Sequence, residues 1–517
     1  MPARRVAIVP HTHWDREWYE PFQTFRLRLV DLLDDLLDLM ESDPSYARYL
    51  LDGQMAVVDD YLEVRPEHED RLRRLAASGR LAVGPWYILM DEFLVSGETI
   101  VRDLQLGIRR GTAFGGVAEV GYLPDMFGHV AQMPQLLRLA GFEHAAVWRG
   151  VPSTITGSAF TWRAPDGSEV RTEYLLDGYG SGSNLPDDAK AFVTRVREHV
   201  STFSTFLEGD VLLMNGSDHV MPQASLGRLV NEANGLQDEF EFRISSLAEY
   251  LATAPREGLQ VHEGELRSGY RANVLMGVAS NRVDVKRAAS RTERALERRA
   301  EPLTALFVPP DAWPRSLLEL AWREVIRNAA HDSICACSVD EVVDAVLRRF
   351  DEARAIADGV AARVLRSLGD SMRTGGYVLA NGAARSRSGV VEVLHAGELD
   401  ERVQVVGTSA ALPGELVLDV ATARTMLSLI QGPRINDDAW IEEASLAEGD
   451  GELVLTVRLG AIERPGVRLD EVRASLLSKL AASPDVSVRV RLEQPPIHRV
   501  LARTEAVPGF GWSRFTP

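Results

Sequence analysis

Pro10-His11-Thr12-His13-Trp14-Asp15 follows directly on the apolar run Val6-Ala7-Ile8-Val9. A short apolar run closed by proline reads as a buried strand. Polar side chains at the C-terminal end of such a strand sit where α/β folds bind ligands. Alternate residues of extended chain point the same way, so His11, His13 and Asp15 could share one face. Two imidazoles and a carboxylate near one point make a ligand set suited to zinc. The plain alternative is a pair of strand-end histidines satisfied by hydrogen bonds.

Three further clusters follow the same logic. In Gly121-Tyr122-Leu123-Pro124-Asp125-Met126-Phe127-Gly128-His129 a strand-like run ends in a carboxylate. Asp125 could be a nucleophile or a metal ligand, or the N-cap of a helix near 132. In Val211-Leu212-Leu213-Met214-Asn215-Gly216-Ser217-Asp218-His219, Asp218 could be a general acid, or part of a polar turn. His331, in Asn328-Ala329-Ala330-His331-Asp332-Ser333, could complete a metal site, or could cap a helix end. Cys335 and Cys337 nearby read as ligands or as two small buried thiols. No Gly-rich phosphate loop is convincing, and no Gly-x-Ser-x-Gly stands in a strand-turn-helix context, which leaves acyl transfer by a serine unsupported.

The elements that must position these groups alternate between strand and helix up to about residue 260. A strand is expected over 4–10. Phe25, Leu29, Leu32, Leu33, Leu36 and Met40 mark an amphipathic helix. Strands are expected near 80–84, 119–123, 144–148 and 210–215, with helical patterns near 54–78, 132–140, 187–208 and 223–236. Such alternation gives a mostly parallel sheet with covering helices. Ala164-Pro165-Asp166-Gly167 turns a hairpin between 159–163 and 168–175. Residues 283–306 and 314–368 read as about three helices, with Ser338 and Glu341 spaced as a capping box. After Gly375-Gly376, short alternating runs at 377–380, 389–394, 402–406, 452–459 and 486–492 read as antiparallel β.

The chain has 517 residues, enough for roughly three domains. Its net charge of −18 and lack of a long basic block argue against nucleic acid as a partner. No apolar segment is long enough for a membrane span or a signal peptide. Cys335 and Cys337 are the only cysteines and are poorly placed to pair. A cytoplasmic location is the expectation.

Taken in order, these clusters resemble the family-38 glycoside hydrolases, the retaining α-mannosidases, and most of all their bacterial branch of mannosylglycerate hydrolase-like enzymes. The resemblance is carried by His11-Thr12-His13-Trp14-Asp15-Arg16-Glu17-Trp18-Tyr19, Leu51-Asp52-Gly53-Gln54, Gly84-Pro85-Trp86-Tyr87, Tyr122 to His129, Trp148-Arg149-Gly150, Asn215-Gly216-Ser217-Asp218 and His331-Asp332-Ser333-Ile334. It runs from residue 4 to about 390. It implies a multidomain α/β, α and β chain. An α/β barrel-like catalytic domain with parallel strands would span 1–262, and a helical-bundle middle domain 263–370. An incomplete antiparallel β-sandwich would span 371–517.

The same resemblance implies one Zn²⁺ per chain held by His13, Asp15, Asp125 and His331, with His11 beside the site rather than on the metal. Asp125 would double as nucleophile, and Asp218 would be the general acid and base. Trp18 would pack on the sugar face, Arg149 would orient Asp125, and Asp332 would hydrogen-bond sugar hydroxyls. Zinc would chelate the cis 2- and 3-hydroxyls of a mannose, and hydrolysis would retain anomeric configuration. The substrate would be an α-mannoside or a mannosyl-containing oligosaccharide. The last residues resemble a mid-domain segment of the family, so a homo-oligomer or a complementing C-terminal chain is an expected partner. Two other readings compete: a metal-dependent amidohydrolase or deacetylase, and a non-catalytic mannose-binding relative. The first would ask for a further histidine pair and a bridging lysine at later strand ends.

Overall fold

Strand Arg4–Pro10 lies at the centre of a three-stranded parallel sheet, between Val211–Asn215 and Phe240–Ile244. A central parallel strand is covered on both faces, which is why its sequence is a continuous apolar run and not an alternating one. Val6, Ile8 and Val9 are buried accordingly. Helix Phe22–Ser42 follows and buries Phe25, Leu29, Leu32, Leu33, Leu36 and Met40 along one stripe, the face that its spacing predicts.

A second sheet has the order Gln260–Glu263, Ala159–Arg163, Glu169–Tyr174, His144–Val147, Gly121–Leu123. It is parallel except for the expected hairpin, whose two strands pair antiparallel. The hairpin turn uses Gly167 at φ 88°, a left-handed conformation that a Cβ would strain. A two-stranded parallel pair, Tyr49–Leu50 with Leu81–Ala82, completes the N-terminal strands. Isolated bridges His11–Leu50, His13–Asp218 and Gln54–Trp86 carry the pairing past the strand ends. These bridges hold the functional segments.

The middle region is helical: Val283–Ala295, Glu301–Phe307, Arg315–Asn328, His331–Cys335 and Asp340–Asp370. Ser338, expected to open a capping box, instead donates its hydroxyl to the Asp332 carbonyl at 3.0 Å. The C-terminal region holds antiparallel sheets, with one parallel pair between Glu452–Gly460 and Ser487–Glu493. Helices Val420–Leu429 and Leu469–Ala482, which strand periodicity did not announce, share an apolar core with that sheet through Ala423, Leu453, Leu476, Leu480 and Val488.

The computed structural model describes residues 3–207, 209–371, 377–396, 399, 403–409, 414–436, 439–449, 451–461, 467–483 and 485–516. The change of character expected at Gly375-Gly376 lies outside them. The chain forms two compact units, Met1–Glu297 with Pro314–Gly359, and Arg298–Trp313 with Val360–Pro517. Every candidate site residue is in the first.

Helix Gly97–Thr112 was not legible as a helix, because Gly107 and Gly111 interrupt it. The structure gives the reason for Gly107. A Cβ there would lie 2.1 Å from the Pro85 carbonyl oxygen and 2.2 Å from the Trp86 carbonyl carbon. The helix packs directly on the backbone of the Gly84-Pro85-Trp86-Tyr87 segment. Gly107→Ala is therefore expected to cost about 3 kcal/mol, the upper end for overpacking. Gly97→Ala, open at the first turn of the same helix, should leave stability unchanged or slightly raised. Chemical denaturation of both variants checks this, and equal midpoints would contradict it.

Candidate metal centre

Beyond Pro10 the chain stays extended and is gripped by the segment that follows Val211–Asn215. The His13 N–H donates to the Ser217 carbonyl at 3.1 Å, and the His219 N–H donates to the His13 carbonyl at 2.9 Å. Gly216 makes the approach possible, since a Cβ there would lie 2.0 Å from the His11 carbonyl oxygen. This lacing sets Asp218 beside His13.

His13 is oriented by Asp52. Its Nδ1 lies 3.1 Å from Asp52 Oδ2 and 3.2 Å from Oδ1. Asp52 also accepts the Trp14 N–H at 2.7 Å and the Gln54 side-chain amide at 2.8 Å. A carboxylate at Nδ1 fixes a proton there, which makes Nε2 the nitrogen that can turn to a ligand once its own proton is lost. That Nε2 is buried without an aligned hydrogen bond and lies 3.3 Å from Asp15 Oδ1.

His331 arrives from the helix His331–Cys335. Its Nδ1 meets the Leu89 carbonyl at 3.2 Å, and its Nε2 lies 3.4 Å from Asp15 Oδ1 and 3.5 Å from Asp125 Oδ2. Phe127 and Ile334 share one apolar cluster, which locks Asp125 and His331 together.

Asp15 is held from the other side. Its backbone N–H donates to His219 Nε2 at 3.2 Å, so the proton of that ring sits on Nδ1, 3.2 Å from the Tyr19 hydroxyl. Burial lowers the His219 pKa, in keeping with a neutral ring.

His13, Asp15 and His331 each offer one ligand atom, all within 4.8 Å of one another and all buried. Donors about 2.0–2.1 Å from a tetrahedral ion stand about 3.3–3.4 Å apart, and that is the spacing of Asp15 Oδ1 from both imidazole Nε2 atoms. The orphaned Nε2 of His13 and the borderline N,O donor set thus fit a zinc-like divalent cation. Asp125 stands outside that three-residue group, with Oδ2 4.0 Å from His13 Nε2.

Electrostatics follow from burial. Burial opposes the charge on His13, but Asp52 and Asp15 outweigh it and push its pKa well up. His331 is held at about 10, as Asp332, Asp125 and Asp15 overcome burial. Burial would raise Asp15 and Asp125, yet the two imidazoles pull both carboxyls below the usual range, with Arg149 helping at Asp125. Asp332 goes the other way: burial pushes it up to about 7, against the pull of His331.

The remaining candidates surround this centre. Arg149 clasps Asp125 Oδ1 at 2.7 and 2.6 Å and anchors on the Asn273 carbonyl at 2.6 Å. Asp218 Oδ1 accepts the Tyr179 hydroxyl at 2.8 Å. Asp332 Oδ2 lies 4.0 Å from His331 Nε2, and its Oδ1 accepts the Cys337 thiol at 2.9 Å. Trp18 donates its indole N–H to the Cys337 carbonyl at 3.0 Å.

His11 does not join the cluster, against the reading from strand alternation. Its Nε2 donates to the Tyr179 carbonyl at 2.7 Å, and burial lowers its pKa. The cysteines are not ligands here: Cys335 is buried in the apolar cluster. Asp52, Tyr179 and His219 were not singled out from the sequence. Asp52 and His219 stand within quoted motifs, so only a role was missing; nothing local marks Tyr179.

A family model described as "Glycosyl hydrolases family 38 N-terminal domain" matches residues 3–265, and one described as "Alpha mannosidase middle domain" matches 273–368. The chain is 38% identical over 378 residues to a protein of Halalkalibacterium halodurans named "Putative mannosylglycerate hydrolase", covering 68% of this chain and 41% of that protein. It is 24% identical over 363 residues to the human "Alpha-mannosidase 2C1", covering 68% and 34%. A solved α-mannosidase from Enterococcus faecalis V583 superposes with a TM-score of 0.76 at 27% identity, over 98% of this chain and 55% of that one. The chain thus spans about two fifths of the first relative and just over half of the solved structure.

Two predictions follow from the histidines. A metal needs both Nε2 atoms unprotonated, while both rings, with raised pKa values, hold their protons through neutral pH without metal. Binding therefore displaces protons from these rings, and affinity rises with pH. Chelator competition for zinc across a pH series measures the slope; a flat profile would contradict it. Asp52→Asn, which removes the carboxylate from His13 Nδ1, should weaken zinc about 10–100-fold in the same assay.

Proposed function

The chain belongs to glycosyl hydrolase family 38, and from that premise we propose that it is a zinc-dependent retaining α-mannosidase acting on terminal α-mannosides. The observation that supports this best is the split engagement of Asp125. One oxygen is clasped by Arg149, and the other faces the buried imidazoles. A carboxylate so held stays ionised despite burial and keeps a fixed direction, as a nucleophile requires.

In this reading His13, Asp15, His331 and Asp125 would hold zinc, which supplies a Lewis acid for two adjacent sugar hydroxyls when bound. Asp125 attacks the anomeric carbon as the bond to the leaving oxygen breaks. Asp218 delivers its proton to that oxygen. Tyr179 donates to Asp218 Oδ1, which leaves the other oxygen to carry the proton. Asp218 then takes a proton from water, which opens the mannosyl ester on Asp125 and regenerates both carboxyl groups. Two displacements at one carbon retain its configuration. Asp332 would hydrogen-bond a sugar hydroxyl, and Trp18 would cover the sugar face.

The name of the 38% identical relative makes mannosylglycerate one substrate to test beside mannosyl oligosaccharides. The amidohydrolase reading wanted a further histidine pair with a lysine; the cluster is completed instead by carboxylates. We also propose a cytoplasmic location, which two free thiols support, and domain boundaries near 262 and 370, which the family models ending at 265 and 368 support.

Turnover of aryl α-mannosides tests the proposal. Wild type with zinc should release the α-anomer first, seen by NMR. Asp125→Ala should lose about 10³-fold or more in kcat. Asp218→Asn should lose about 10²–10⁴-fold on alkyl mannosides and much less on a dinitrophenyl mannoside, whose leaving group needs no proton. First release of the β-anomer, or an unimpaired Asp125→Ala, would overturn it. A zinc-loaded, sugar-binding but inert chain would favour the non-catalytic reading.

A further inference from the structure

The loop that carries Asp218 also walls a cavity of about 520 Å³. Gly216 and Val220, on either side of Asp218 in the chain, both line it. So do Ser183, Asn184, Leu185 and Asp187, a few residues beyond Tyr179, whose hydroxyl is bonded to Asp218. The acid that protonates a glycosidic oxygen stands on the leaving-group side of the scissile bond. We propose that this cavity is the leaving-group subsite, and that it takes a neutral hydroxylated group, a second sugar, in preference to one bearing a carboxylate. This inference rests on Asp218 being the acid.

The cavity is built, not incidental. The Asn215 side-chain amide donates to the Gly182 carbonyl at 2.7 Å and to Gln223 Oε1 at 3.1 Å. The Gln223 amide donates to the Leu185 carbonyl at 2.7 Å. The Ser225 hydroxyl donates to Asp187. These bonds tie the two walls together. Within them the Ser183 hydroxyl is buried with no hydrogen-bond partner. A buried hydroxyl left unpaired is costly, and a ligand hydroxyl, able to donate and accept, would satisfy it.

Charge decides the class of ligand. None of the described residues lining the cavity is Lys, Arg or His, and Asp187 is the one ionisable side chain among them. Arg228 reaches the Asp187 carbonyl from outside the lining, at 3.4 Å, and its guanidinium is paired with Glu232 at 2.9–3.0 Å. A carboxylate entering here would lose water without gaining a cation, and would meet Asp187. A sugar hydroxyl meets the same carboxylate as a donor. The volume lies within the range of small-ligand sites.

The test compares kcat/KM for an α-linked mannobiose and for mannosylglycerate, with an aryl α-mannoside reporting the chemistry itself. Mannobiose is expected to be favoured by about ten-fold or more. In Ser183→Ala the ratio of mannobiose to aryl mannoside kcat/KM should fall about five-fold. Asp187→Lys should shift the preference toward mannosylglycerate. Equal or better turnover of mannosylglycerate by wild type, or an unchanged ratio in Ser183→Ala, would overturn the inference. Failure to turn over the aryl mannoside would sink the hydrolase reading. Binding of the two glycosides to the Asp218→Asn chain, read by saturation-transfer NMR, would then decide this one: tighter mannobiose supports it and tighter mannosylglycerate refutes it.

Discussion

Asp15, Asp52, Asp125 and Asp332 are all buried around two imidazoles. Removing that many carboxylates from water is affordable only if cations lie among them. His13, His331 and Arg149 are the positive groups the chain itself supplies, and the first two can carry charge only while protonated. A divalent ion does the same work better, because it lets both imidazoles be neutral ligands while the carboxylates stay ionised. Most of the local structure can be read as a consequence of this one requirement.

The backbone around the centre shows the cost of satisfying it. Asp52, His219 and Ala336 have left-handed φ values of 49°, 53° and 54°. Such conformations persist in residues with a Cβ only where the surroundings over-determine them. Each adjoins a ligand: Asp52 holds His13, His219 holds the Asp15 amide, and Ala336 caps the helix that begins at His331. The apolar cluster of Phe127, Ile334, Val342 and Val346 then keeps Asp125 and His331 in one register across more than two hundred residues of chain. The site is thus rigid in its scaffold and polar only at its centre, the arrangement that electrostatic preorganisation asks for.

Much of this was legible from the chain alone, for identifiable reasons. His13, Asp15, Asp125, Asp218 and His331 each close a strand-like or helix-like run, so local pattern exposed them. The parallel strand Arg4–Pro10 and helix Phe22–Ser42 announced themselves by burial patterns intrinsic to those elements. What was hidden depends on tertiary approach. His11 has the same spacing as His13 but a carbonyl partner contributed by Tyr179, 168 residues away. Helix Gly97–Thr112 reads poorly because Gly107 serves a contact with another segment's backbone. Helices Val420–Leu429 and Leu469–Ala482 lie among strong strand patterns, and one of them makes the crossover that a parallel pair requires.

The central claim is that the two imidazoles and the carboxylates between them form the metal site. X-ray absorption at the zinc edge of the loaded chain tests it most directly. The account predicts a shell of nitrogen and oxygen only, at about 2.0–2.1 Å, with the outer-shell scattering of two imidazoles. Sulfur at about 2.3 Å, which would bring in Cys335 or Cys337, or a shell without imidazole, would contradict it.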